Sequence, residues 1–255
     1  YTSPMAIGDD PVPLIDDDEE LKLYGVVRVK LDYSILDCKE WAMELSRITP
    51  ENMTFEGDGE FAYYRSILDE SASDYPFLNP DLFLQSQTEM GKVLQKHFLG
   101  LASSSTLSEI LRLDDAFCIH YDSSTQQDTS GAKHVDPSDI TINLCLDKSD
   151  GIQDSHVIFF GIQPLIDVDS IQSSTIKSLH TLQLPSTSYQ QSNGCREYSL
   201  SDHLKDIKFA VEQRPGFATL HWGRHPHETM AVRGKGTRTN IVLTFCYKNA
   251  FKNDK

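Results

Sequence analysis

His134-Val-Asp136, followed by the turn Pro137-Ser-Asp139 and the run Ile140-Thr-Ile-Asn-Leu-Cys-Leu146, decides how this chain folds. Side chains two apart on extended backbone point the same way, so the His134 imidazole and the Asp136 carboxylate can share one metal ion. In the run behind them Thr141, Asn143 and Cys145 take one face, and Ile140, Ile142, Leu144 and Leu146 take the other. A strand that is apolar on one side and polar on the other, entered directly from a His-x-Asp, suits the wall of a barrel around a polar pocket.

A second His-x-Asp, His120-Tyr-Asp122, comes earlier in the chain. It runs into Ser123-Ser-Thr-Gln-Gln-Asp-Thr-Ser-Gly131, which is polar and loop-like, so the metal is assigned to His134 and Asp136 instead. One further imidazole would complete a facial set of two histidines and a carboxylate, which leaves adjacent positions on an octahedral Fe(II) open. Three candidates for it lie close together downstream: His221, His225 and His227.

The segment from His134 to Leu146 resembles the metal-binding segment of the 2-oxoglutarate and Fe(II)-dependent dioxygenases, in their prolyl 4-hydroxylase-like and lysyl hydroxylase-like branch. Pro215-Gly-Phe-Ala-Thr-Leu-His-Trp-Gly-Arg-His-Pro-His-Glu228 and Gly236-Thr-Arg-Thr-Asn-Ile-Val-Leu243 resemble the second half of the same site. The likeness covers residues 116 to 247 with a gap in the middle, and the first hundred residues match loosely.

The resemblance implies a double-stranded β-helix, or jelly-roll barrel, mainly β with N-terminal helices supporting it. It implies Fe(II) held by His134, Asp136 and His227, with 2-oxoglutarate and O2 as cosubstrates and ascorbate as an accessory reductant. His227 is favoured over its rivals because eleven residues separate it from Arg238, one more than the pattern has. Arg238 is the residue that would pair with the distal carboxylate, since a planar guanidinium matches a carboxylate with two parallel hydrogen bonds and stays charged inside a barrel. Tyr121 and Asn143 fall on positions that contact the cosubstrate, and Asn240 lies on the face of Arg238. Thr141 and Cys145 would line the pocket. The Gly-Gly that precedes the next strand in the pattern is replaced here by Gln153-Asp-Ser155.

The chemistry so implied is oxidative decarboxylation of 2-oxoglutarate to succinate, coupled to hydroxylation of a substrate or to demethylation through hydroxylation. The chain has 38 acidic and 23 basic residues, a net charge of -15, which repels phosphate backbones and favours neutral or basic partners. A protein or peptide side chain such as proline or lysine is therefore the expected substrate. An AlkB-type nucleic-acid demethylase is the alternative, and it is disfavoured because position 244, where that branch carries a second arginine, is Thr244. A catalytically silent barrel that only binds a partner is the other alternative, and four matched residues count against it.

The chain's 255 residues suffice for one sizeable core, and 39% hydrophobic with 24% charged residues is ordinary for a globular protein. No apolar stretch is long enough for a membrane span. The five cysteines are scattered with no Cys-x-x-Cys pair, which points to a reducing compartment, cytoplasmic or nuclear.

Along the chain, residues 1 to 22, with Asp16-Asp-Asp-Glu-Glu20, read as an acidic flexible tail, and 23 to 250 as a single domain. Tyr24 to Lys30 reads as the first strand. A helix is expected over 34 to 48 behind a Ser34 cap, with an apolar stripe that includes Ile35 and Leu36, and a second from Pro80 to Leu101. Strands are expected at 116–122, 139–146, 156–161, 217–222 and 238–247. The Ser/Thr/Gln-rich stretch 163–210, with a short helical candidate near 200–206, reads as a lid or insertion that selects substrate.

Overall fold

The computed structural model describes residues 12–47, 63–100, 106–126, 129–166 and 207–248. Two helices open the chain. The first, α1 (Asp18–Tyr24), is capped by Asp17, whose side chain accepts from the Glu20 backbone, and carries Asp18, Glu19 and Glu20 in its first turn, where carboxylates oppose the positive end of the helix dipole. The expected tail is thus corrected over its second half: the acidic run starts a helix, Leu21 and Ile15 are buried, and Leu14 bridges to Ala210. Residues 1–11 lie outside the described residues. Gly25, at a positive φ of 88°, ends α1, so the first strand β1 (Val26–Lys30) starts two residues later than Tyr24.

The second helix, α2 (Ile35–Leu45), has the expected Ser34 cap, completed as a capping box by Asp37. Its buried face is Cys38, Ala42 and Leu45, whereas Ile35 and Leu36 face solvent, contrary to the expected stripe. After β2 (Tyr63–Ser66) and a short 3-10 turn at Pro76–Leu78, the single long helix expected from Pro80 is found in pieces. The pieces are α3 (Pro80–Phe83), α4 (Glu89–Val93) and a turn of wider π-helix at Leu94–Leu99. The break falls at Thr88, which accepts from the Gly91 backbone and so begins a new helix instead of continuing the old one. A last short helix, α5 (Leu107–Ile110), leads into the barrel.

The remaining strands are β3 (Leu111–Asp122), β4 (Gly131–His134), β5 (Ile140–Lys148), β6 (Ile152–Gln153), β7 (His156–Phe160), β8 (Lys208–Glu212), β9 (Phe217–Trp222), β10 (His227–Thr229), β11 (Arg233–Gly234) and β12 (Thr237–Tyr247). They form a six-stranded antiparallel sheet in the order β1-β9-β5-β12-β3-β2, facing a four-stranded antiparallel sheet β4-β10-β7-β8, with a β11-β6 ribbon at one end. This is a double-stranded β-helix. The six strands read from the sequence are all present, as β1, β3, β5, β7, β9 and β12. Those missed, such as β4, β8 and β10, are short or lie beside the polar site, where alternation is weak. The stretch 163–210 is corrected at its end, because residues 208–210 belong to β8 in the barrel wall; residues 167–206, with the helical candidate, lie outside the described residues.

Alternation in β5 sorts the two environments. Ile140, Ile142, Leu144 and Leu146, none of them solvent-exposed, face the helical layer with Ile241, Leu243 and Phe245 of β12. Burying that sheet face against α2 and its neighbours fixes the register, since a slip of one residue would turn every apolar side chain into the polar interior. The interior face is left to Thr141, Asn143, Arg238 and Asn240. No helix among the described residues is long and apolar enough to cross a membrane.

Candidate metal centre

His134 ends β4 and His227 begins β10, and the two are register partners across the antiparallel pair. Their rings therefore sit side by side, with centroids 4.4 Å apart. Asp136 lies two residues past His134, and its backbone N–H donates to the Gly223 carbonyl at 2.9 Å, which ties it to the loop that delivers His227. One ligand atom from each of His134, Asp136 and His227 lies within 4.8 Å of the other two. His134 Nε2 is 3.4 Å from one carboxylate oxygen of Asp136, and His227 Nε2 is 3.8 Å from the other.

Both rings are oriented from behind. His134 Nδ1 contacts the Ala132 carbonyl at 2.7 Å and His227 Nδ1 contacts the His225 carbonyl at 2.9 Å. A carbonyl only accepts, so each Nδ1 carries a proton and each Nε2 is the atom turned toward Asp136, free to offer a lone pair once a metal takes the place of its proton. Thr141 donates its hydroxyl to Asp136 at 2.5 Å. Burial opposes ionisation of Asp136, but the hydrogen bond with His134, the neighbouring His221 and His227, and Thr141 outweigh it, holding the carboxyl well below the usual range. Burial pushes the His227 pKa down, so this imidazole is neutral. The Asp136 carboxylate pushes the His134 pKa up, so this ring gives up its Nε2 proton when a metal takes its place. Two imidazoles and a carboxylate that share a space of this size make a donor set that fits a divalent metal with open positions.

The rivals have other employment. His221 is buried on the inner face of β9 with its ring 4.6 Å from that of His227, and its Nδ1 bonds to the Trp222 carbonyl. His225 is fully buried and its Nε2 bonds to the Gly161 carbonyl at 3.2 Å; burial pushes its pKa down to about 4. The earlier His-x-Asp is also engaged otherwise. His120 bonds to the Thr239 hydroxyl and Asp122 caps the turn at Ser124, and among the described residues only the one cluster of three ligands is found.

Deeper in the barrel is a second polar group. Arg238, only 2% exposed, begins the inner face of β12, with its guanidinium carbon 4.4 Å from the centre of the Tyr121 ring on β3. Its Nη1 donates to the Ser155 carbonyl, whereas its Nε has no hydrogen-bond partner among the described residues. No carboxylate pairs with it among those residues either, so a buried positive charge stands ready for an anion. Asn240 donates to Asn143 at 2.6 Å and to Gln213 at 3.1 Å, while Asn240 Oδ1, the Ser155 hydroxyl and His156 Nδ1 are buried with no partner among the described residues. Buried polar atoms left open in this way point to a polar guest. Cys145 is buried on the same face, and desolvation pushes its thiol up to about 12, so it is an inert lining group.

All seven residues expected at the site face the barrel interior or its mouth. The sequence reading missed Gln213, Ser155 and His156. Gln213 continues the Phe209, Val211 alternation of β8 but is followed by Arg214-Pro215 and reads as loop. Ser155 and His156 stand at the departure from the family pattern, where no signal was available. The direct bond of Thr141 to Asp136 was also missed, Thr141 having been read as lining.

No protein-family model matches this chain, and no curated protein does. Solved structures do. The non-heme alpha ketoglutarate-dependent epimerase SnoN from nogalamycin biosynthesis aligns over 90% of this chain and 81% of its own, at 14% identity and a TM-score of 0.54. The carbocyclase SnoK from the same biosynthesis aligns over 97% and 92%, at 13% identity and 0.54. HygX from Streptomyces hygroscopicus, solved with nickel and 2-oxoglutarate bound, aligns over 89% and 85%, at 12% identity and 0.51. The barrel described above is therefore the fold of the 2-oxoglutarate and Fe(II)-dependent oxygenases.

Proposed function

We propose that this protein is a 2-oxoglutarate- and O2-dependent Fe(II) dioxygenase. The observation that carries the reading is the convergence of His134, Asp136 and His227 within 4.8 Å, in a barrel whose interior also holds a buried Arg238 without a carboxylate. His134, Asp136 and His227 hold the metal. Arg238 takes the distal carboxylate of 2-oxoglutarate, its guanidinium held over Tyr121 and by the Ser155 carbonyl, and Asn143 and Asn240 line the way between. Bound there with 2-oxoglutarate, Fe(II) supplies the activation of O2 that couples decarboxylation of the keto acid to oxidation of a substrate C–H bond. The chain supplies ligand geometry, a fixed tautomer at each histidine and walls that keep water from the reacting groups.

The substrate we infer is a protein or peptide side chain, proline or lysine. The resemblance of the motif segment and the net charge of -15, which favours a neutral or basic partner, support that choice. The same charge, together with Thr244 in place of an arginine, weighs against nucleic acid. The test is succinate release with Fe(II) and 2-oxoglutarate, using proline- and lysine-containing peptides, methylated oligonucleotides and small apolar molecules in parallel. Stimulation by peptides supports both parts, stimulation only by another class replaces the substrate, and no succinate under any condition overturns the activity.

A further inference from the structure

Between the end of β9 at Trp222 and His227 the chain crosses from one sheet to the other in four residues, Gly223 to Pro226. The crossing is stitched to its surroundings at nearly every residue. Gly223 exchanges backbone hydrogen bonds with Asp139 and Asp136, the His225 N–H donates to the Trp222 carbonyl at 2.9 Å, and the Pro226 carbonyl accepts from Phe160 at 2.9 Å. Within it His225 has a double attachment. Its carbonyl accepts from Nδ1 of His227 at 2.9 Å, and its own ring reaches the Gly161 carbonyl at 3.2 Å.

The ring of His225 is fully buried, packed against Phe159 with centroids 4.9 Å apart and against Phe209 at 6.2 Å. Its Nε2 faces a carbonyl and so carries the proton, which leaves Nδ1 as a buried acceptor with no partner among the described residues. An unsatisfied buried nitrogen is a cost that phenylalanine at this position would avoid. Gly161 itself, at a φ of 78°, turns the chain after β7, and its N–H donates to the Ile207 carbonyl at 2.8 Å. His225 thus grips the point where β7 ends and β8 approaches, while its backbone orients a ring of the metal centre.

We propose that His225 is a positioning residue for the metal centre: by anchoring to the Gly161 carbonyl it fixes the carbonyl that sets the tautomer and rotation of His227. This rests on the metal-site reading above. Two things are supplied by this side chain: it fills the space against Phe159, and it presents a donor to the Gly161 carbonyl. Glutamine supplies the second; phenylalanine supplies only the first.

The test is titration of metal-free protein with Co(II), followed by the visible absorption of the bound ion. Loss of a group that orients a metal-binding histidine typically costs tenfold to a hundredfold in affinity. His225→Phe is expected to weaken Co(II) binding by about tenfold or more and to change the shape of the Co(II) spectrum, with His225→Gln restoring both most of the way. Wild-type affinity and spectrum in His225→Phe overturn the positioning role while leaving the metal site standing. Wild-type protein that binds no Co(II), or binds it equally well after His134→Ala, overturns both. A measurement that needs no variant comes from histidine nitrogen resonances of the wild-type protein loaded with Zn(II). His225 is expected as the Nε2–H tautomer and His227 as the Nδ1–H tautomer, and a His225 protonated at Nδ1 overturns the proposal.

Discussion

Arg238 and Tyr121 face each other across the β12–β3 ladder, and the guanidinium carbon lies 4.4 Å from the centre of the phenol ring. A planar cation laid on an aromatic face keeps its in-plane N–H groups free for a second planar partner. The Ser155 carbonyl takes one of them and the Nε donor remains open. Arg238→Met should therefore weaken 2-oxoglutarate binding by about a hundredfold, while Mn(II) affinity changes little. Calorimetry in the presence of Mn(II) checks this, and unchanged cosubstrate affinity would remove Arg238 from the role.

The two His-x-Asp motifs give a matched pair of variants. His134→Ala removes an imidazole whose Nε2 points at Asp136, and Mn(II) binding should be lost without unfolding, since His134 is half exposed at the rim. His120→Ala breaks only a bond to Thr239 and should spare metal binding. Tight binding by the first variant, or its loss in the second, would mean that the metal lies elsewhere.

Thr141 is the residue through which the barrel wall reaches Asp136, its hydroxyl 2.5 Å from the carboxylate. Thr141→Val keeps the shape and the β-branched strand preference but removes the donor. Metal affinity is expected to fall about tenfold, with thermal stability of the metal-free protein nearly unchanged. A drop in stability with unaltered affinity would make the bond structural.

The site was more legible than the frame that holds it. Asp136 and Arg238 stand at β5 and β12, which could be read because one face of each must be apolar against the helices, whereas His134 and His227, on the short β4 and β10, were legible only through the His-x-Asp motif and the spacing to Arg238. The helical layer was harder. Pro80 to Leu101 carries an apolar stripe at helical spacing, yet Thr88 and its neighbours hydrogen-bond to local backbone and start a new helix, a competition that spacing alone does not register. The acidic run at 16–20 reads as solvated until its position, ahead of Leu21 and Tyr24, makes it the first turn of a docked helix. Short strands such as β10, three residues long, have no period to read.

Acid stability follows from His225. Burial holds its pKa down to about 4, against an ordinary value of 6.5 in the unfolded chain. Between those values the unfolded state binds the proton and the folded state does not, so stability is lost as pH falls from 6.5 toward 4 and is full above that window. For the whole shift the effect is on the order of 3 kcal/mol. Denaturant unfolding of metal-free protein at several pH values should show this slope, and His225→Gln, which cannot titrate, should reduce it, leaving the part that comes from the other histidines whose pKa burial lowers, His221 above all. Equal slopes in the two proteins would mean that His225 is protonated without cost.

Gly25 offers a test of how the N-terminal helix is fixed to the barrel. It ends α1 at a φ of 88°, a conformation that costs an L-residue with a side chain, and a Cβ placed there would lie 1.7 Å from the backbone oxygen of Gln163. The neighbouring Gln163 N–H donates to the Tyr24 carbonyl at 3.2 Å, so the two segments cannot separate without breaking that bond. Gly25→Ala is expected to destabilise the protein by about 2 kcal/mol or more, combining left-handed strain with displacement of backbone. Gly131→Ala serves as the comparison, since its Cβ would meet the Thr229 side chain at 3.3 Å and the Thr229 backbone nitrogen no nearer than 3.7 Å, and should cost much less. Urea unfolding with unchanged slope and a lowered midpoint in Gly25→Ala alone is the expected result. Equal midpoints for the two variants would show that α1 can shift away from Gln163 freely, and the docking of α1 would then contribute little to the fold.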